Sequence, residues 1–109
     1  EQMNQNSLEH KTYNIMFIVS LEYQVPLKEV DRFIPEHVEF LNKQYELGHF
    51  QLSGRKNPRT GGVILSTLSN REQLDIILTE DPFHRENIAK YEVIEMLPTK
   101  ASQEFEFLL

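Results

Sequence analysis

From Tyr13 to Tyr23, the residues Tyr13, Ile15, Phe17, Val19, Leu21 and Tyr23 alternate with Asn14, Met16, Ile18, Ser20 and Glu22. A period of two is that of a strand, so this segment is the first predicted strand. After Pro26, the residues Leu27, Val30, Phe33 and Ile34 fall at helical spacing, but Pro35 lacks a backbone donor. The pattern therefore predicts a short helical turn that Pro35 ends. A main helix then runs from Pro35 to Leu47, with Val38, Leu41, Tyr45 and Phe40 as its apolar stripe and Gly48 as a left-handed stop.

Phe50, Leu52 and Gly54 alternate next, Arg55 to Gly62 is rich in turn formers, and Val63 to Leu68 is strand-like again. This predicts a hairpin with a long loop. Ser69 with Glu72 forms a capping box for a helix whose Leu74, Ile77 and Leu78 point inward. Asp81 followed by Pro82 starts a second, short helix, because aspartate caps well and proline suits the first helical position. Tyr91 to Leu97 is the last predicted strand.

The order strand, helix, strand, strand, helix, strand predicts an α+β, ferredoxin-like βαββαβ domain with its helices on one face of an antiparallel sheet. The other face should be polar if it meets water. Met16 and Ile18 of the first strand, and Ile94 and Met96 of the last, stand in the register opposite the core residues. A second copy packed sheet on sheet would cover them, so a homodimer through the open sheet face is expected. The domain is read as residues 13–99. Residues 1–12, polar and aperiodic, are read as an extension, and residues 100–109 as a tail whose Phe105, Phe107, Leu108 and Leu109 pack on the partner chain or fray.

Composition adds exclusions. A net charge of −6 opposes phosphate backbones and anionic lipid surfaces, so neither nucleic acid nor membrane is an expected partner. The chain has no cysteine, which removes disulfides, thiolate nucleophiles and cysteine-ligated metals and suits a cytoplasmic location. No run approaches the ~18 apolar residues of a membrane span. The four histidines form no H-x-H or H-E-x-x-H pattern, and neither a metal nor an organic cofactor is expected.

Two residues stand out for chemistry. His37 sits near the start of the main helix, beside Val38 and Leu41, where it should be partly shielded. Asp81 needs only one carboxylate oxygen to cap the helix opened by Pro82, which leaves the other free for a partner. The loop Arg55 to Gly62 lacks the ending of a phosphate-binding loop, and its Arg55, Lys56 and Arg59 are either a cationic lip for an anionic substrate or a solvated hairpin loop.

Ile34-Pro35-Glu36-His37-Val38, then Gly48, Ser53-Gly54, Gly61-Gly62 and Glu80-Asp81-Pro82-Phe83 resemble the pattern of the YciI-like (YCII-related) family, from about Met16 to Thr99. The resemblance implies a dimeric α+β barrel with a site in each protomer built around a histidine and an aspartate, here His37 and Asp81. It also implies that Met16 is a natural start. One branch of the family dehydrochlorinates a chlorinated aromatic diol-type compound. This chain departs from the pattern with Arg55 where members often carry proline, and with His84 and Arg85 after Asp81-Pro82-Phe83. The implied function is cofactor-independent acid/base chemistry, elimination or isomerisation of a small cyclic, aromatic or anionic ligand, by a His37–Asp81 dyad. Ser53, Gly54, Arg55, Pro82 and Phe83 are the expected substrate contacts. The alternatives are a non-catalytic metabolite-binding module, a structural dimerisation domain, and a cofactor-independent oxygenase of the same fold.

Overall fold

A computed structural model describes residues 14–109; the expected extension, and Tyr13 at the start of the first predicted strand, lie outside them. The chain runs β1 (Met16–Tyr23), α1 (Leu27–Glu46), β2 (Phe50–Arg55), β3 (Gly61–Ser66), α2 (Arg71–Leu78), α3 (Pro82–Arg85) and β4 (Ala89–Met96). The four strands form one antiparallel sheet in the order β2-β3-β1-β4, the βαββαβ arrangement of ferredoxin-like and dimeric α+β barrel domains. The core lies between the helices and one sheet face, where Phe17, Val19, Leu21 and Ile64 meet Val30, Phe40, Leu74 and Leu78.

Pro35 does not end a helix. α1 continues through it for 20 residues, because the inward stripe of Val30, Phe33, Ile34, His37, Phe40, Leu41 and Gln44 keeps its helical period across the proline. Pro35 and Asp31, whose carbonyl loses its helical partner, are both exposed, so water can satisfy the freed oxygen. Burial of the whole stripe outweighs the roughly 3 kcal/mol helix cost of an interior proline. The stripe also differs from the predicted one. Val38 and Tyr45 are exposed, and Gln44 is buried where the stripe was not expected, while Phe40 is buried as expected.

Gly48 stops α1 as expected. With φ at 78° it allows His49 N–H to reach the Gln44 carbonyl and its own N–H to reach that of Tyr45, a Schellman closure. At α2 the cap is Asn70, not Ser69: its side chain accepts from Gln73 N–H at 2.8 Å. Asn70 with Gln73 repeats the spacing of Ser69 with Glu72, and only the backbone selects between them. β4 begins two residues earlier than predicted, because Ala89 and Lys90 pair with Tyr23 and Glu22.

The register slips in β2. Phe50 pairs with Ser66 but Leu52 pairs with Leu65, so Gln51 forms a bulge. Without it, Phe50, Leu52 and Gly54 would share a face. With it, Phe50 is 1 % exposed in the core while Leu52 is 58 % exposed on the other face, and Ser53 and Arg55 align with core-facing Ile64 and Gly62.

The face away from the helices carries an apolar row across all four strands: Leu52, Leu65, Ile18 and Ile94. Among these, Leu52 and Ile94 are exposed, as is Met96 nearby. Beyond β4 the chain forms a 3-10 helix over Gln103–Leu108, with Phe105, Phe107 and Leu109 exposed. The Asn14 side-chain amide donates to the Leu109 carbonyl, which holds this tail beside the start of β1. Among the described residues, no helix is long and apolar enough to cross a membrane.

Candidate active site

Asp81 is where local sequence and tertiary structure meet. It caps α3: its backbone is extended and its Oδ1 accepts from Phe83 N–H at 3.0 Å. The same Oδ1 accepts from His37 Nδ1 at 2.8 Å, and Oδ2 accepts from the Tyr91 hydroxyl at 2.5 Å. The expected free oxygen is therefore taken by Tyr91, and the cap oxygen also serves the histidine, since a carboxylate oxygen has two lone pairs to offer. Asp81 is fully buried and holds three donors, which compensates a charge that would otherwise be costly to bury. Burial first, and then the Asp81 charge and hydrogen bond, push the Tyr91 phenol far above its ordinary range. Tyr91 stays a neutral donor at physiological pH.

His37 is delivered from the inward stripe of α1. Its ring lies flat on Phe83, with centroids 4.1 Å apart and planes 7° apart, and more loosely against Phe40. Its side chain is 13 % exposed. An ionised Asp81 has no proton to give, so Nδ1 is the donor and Nε2 has no protein partner among the described residues. The dyad is braced from outside by Arg85, which reaches Glu36 beside His37 at 3.0 Å and so ties α3 to α1.

His37 forms part of the wall of a cleft of about 690 Å³ between α1 and the ends of β1, β2 and β3. Leu21, Tyr23, Ile34, Pro35, Leu41 and Phe83 make its apolar lining; Ser53, Arg55, Asp31 and Arg59 bring polar groups. Gly54, Gly61 and Gly62 line it too. A Cβ at Gly62 would meet only the Gly54 carbonyl, at 3.1 Å, so this position leaves room over the sheet. A Cβ at Gly61 would fall 1.8 Å from the Leu21 carbonyl, so the strands approach there only because the residue is glycine.

Of the expected contacts, Ser53, Gly54, Arg55 and Phe83 line the cleft, whereas Pro82 is buried at the start of α3 outside it. Ser53 is held by the Tyr45 hydroxyl at 2.6 Å. Arg59 crosses from the β2–β3 loop to α1, with Nη2 at 2.6 Å from Asp31 Oδ1 and its guanidinium 6.0 Å from the Tyr23 ring centroid. The Asp31 hydrogen bond raises the Arg59 pKa above its ordinary value. Among the described residues, no group of three His, Asp or Glu side chains is placed to hold a metal ion.

The sequence profile of the YCII-related domain matches residues 16–97. The chain belongs to the YCII-related family. No curated protein matches it. The profile spans β1 to β4 and so contains every residue of the dyad and the cleft in this YCII-related domain, while the 3-10 tail lies beyond it.

Sequence reasoning missed Tyr91, which it read only as the start of a strand, and it missed the lining roles of Tyr23 and Asp31. A tyrosine ten residues after an aspartate carries no local signal. The pairing of Leu21 with Tyr91 in the β1–β4 register places the phenol beneath α3.

Proposed function

We propose that this YCII-related domain is a cofactor-independent enzyme that uses His37 for acid/base chemistry on a small cyclic or aromatic compound. The observation that carries this reading is the position of one imidazole. It walls an apolar cleft, while its Nδ1 is held by a buried, triply bonded carboxylate.

Such a ring can take a proton at Nε2 and be stabilised by Asp81 as it becomes cationic. In an elimination, Nε2 takes a proton from carbon, the C–H pair becomes the new double bond, and the leaving group departs from the adjacent carbon with its bonding pair. In an isomerisation, the same proton returns to a different carbon. Phe83 offers a flat surface to the ring from one side, and Ser53, Gly54 and Arg55 form the opposite, sheet side of the cleft. Asp81 and Tyr91 act through His37 as positioning residues. A cleft of this size lies within the ordinary range for small-molecule sites.

The working unit in this reading is a homodimer. The row Leu52, Leu65, Ile18 and Ile94 gives each open sheet face an apolar strip, and an isologous sheet-on-sheet contact would cover both strips at once. The exposed Phe105 and Phe107 of the tail extend that contact onto the partner.

The test is a turnover screen over small cyclic and aromatic compounds that carry an acidic C–H next to a leaving group or double bond. Native chain and His37→Gln are run in parallel. Turnover by the native chain that His37→Gln abolishes supports the reading; turnover that His37→Gln retains overturns it. Binding with no turnover of any compound favours the non-catalytic module, a reading helped by the capping and bracing that Asp81 already performs.

A further inference from the structure

We infer that the cleft takes a small monoanion with a flat apolar body, an aromatic or cyclic carboxylate, and that Arg55 is its counter-charge. The inference rests on the reading of the cleft as a small-molecule site and adds the charge and shape of the ligand.

Besides His37, three ionisable side chains of formal charge line the cleft: Asp31, Arg55 and Arg59. Asp31 and Arg59 neutralise one another at 2.6 Å. Arg55 has no carboxylate partner among the described residues. That is unexpected on composition, since acidic residues outnumber basic ones 17 to 11 in this chain. The cleft is thus left with one uncompensated positive charge beside a mainly apolar lining.

The backbone sets where that charge stands. The bulge at Gln51 turns Arg55 onto the helix side of the sheet, and its partner across the ladder is Gly62. Any larger residue at 62 would put a side chain between Arg55 and Leu21, the next residue in that row. With glycine there, the guanidinium borders open space. His37 faces this region from α1.

A single free guanidinium matches a carboxylate: its planar fork donates two parallel hydrogen bonds to two oxygens. A phosphate dianion would ask for a second free cation, and Arg59 is already committed to Asp31. The apolar lining then accepts the rest of the ligand.

The test compares benzoate with its neutral isostere benzamide, titrated into the full-length chain and followed by amide and side-chain NMR shifts at Ser53, Gly54, Arg55, Gly61 and Gly62. Benzoate should shift these resonances and bind about tenfold more tightly than benzamide, and Arg55→Gln should erase that preference. Arg55 is exposed, so the variant should fold, which unchanged signals from the core will verify. Equal affinity for the two probes overturns the anion assignment and leaves the cleft as a site for neutral molecules; a benzoate preference that survives Arg55→Gln overturns Arg55 as its counter-charge. No shift in the cleft with either probe overturns the assignment and also counts against the small-molecule reading.

Discussion

The Tyr91 hydroxyl donates to Asp81 Oδ2 at 2.5 Å, while His37 donates to Oδ1 of the same carboxylate. A buried carboxylate is thereby gripped from β4 and from α1 at once, and the capped turn of α3 supplies the third donor. The imidazole inherits its orientation from this arrangement rather than from α1 alone.

Tyr91→Phe removes one donor and leaves Oδ2 buried without it. The expected loss is about 1–3 kcal/mol of stability, read as a lower urea midpoint with an unchanged denaturant slope.

The same substitution alters the response to alkali. The folded phenol titrates far above its unfolded value, so the folded chain holds that proton more tightly. This contribution is complete below the ordinary phenol value of ~10. As pH rises beyond that point the unfolded chain ionises first and stability falls. Urea denaturation on either side of that pH should show a steeper loss for the native chain than for Tyr91→Phe; parallel losses would contradict the assigned direction.

In Asp81→Asn the oxygen that stays on the Phe83 N–H also stays on His37 Nδ1, so the amide nitrogen takes the place of Oδ2 and meets the Tyr91 hydroxyl. The neutral imidazole should keep its Nδ1–H tautomer, which ring nitrogen shifts in long-range proton–nitrogen spectra report directly, while the carboxylate charge beside it is gone. If the proposed acid/base role of His37 holds, turnover falls with that charge although His37 is intact. A stability loss of about 1–3 kcal/mol should accompany it.

The two adjacent glycines should respond very differently. Gly61→Ala forces a Cβ into the Leu21 carbonyl and should cost about 2–4 kcal/mol as β1 and β3 separate. Gly62→Ala meets only the Gly54 carbonyl at 3.1 Å and should stay within about 1 kcal/mol of the native chain. Urea denaturation of the two variants side by side checks this.

Leu52→Glu places a charge at the β2 end of the open-face strip, on a side chain 58 % exposed outside the core. Light scattering at micromolar concentration should give two chains for the native protein and one for the variant. A native monomer would remove the dimer from the proposed function.

Much of the fold was legible because apolar periodicity and turn chemistry are local. The alternation of β1, the Gly48 stop and the Asp81-Pro82 cap each involve residues a few positions apart. Pro35 misled for the same reason. Its local cost is real, but the stripe from Val30 to Gln44 buries enough to outweigh it, and that burial depends on the sheet beneath. The two residues of the dyad could be singled out singly, and the family resemblance paired them. The third partner could not be found, because Tyr91 reaches Asp81 only through the pairing of β4 with β1.

By itself, the sequence determined the order of elements, the cap at Asp81, the two-sided apolarity of the sheet and the residue types available for chemistry, since these follow from backbone preferences and side-chain periodicity. Tertiary structure alone decided that Gln51 is a bulge. That one extra residue reverses the faces of all that follows in β2, so Ser53 and Arg55 enter the cleft and Leu52 leaves the core. It also decided that Asp81 shares one oxygen between cap and histidine and gives the other to Tyr91, because such sharing depends on where three separate elements come to rest around one buried charge.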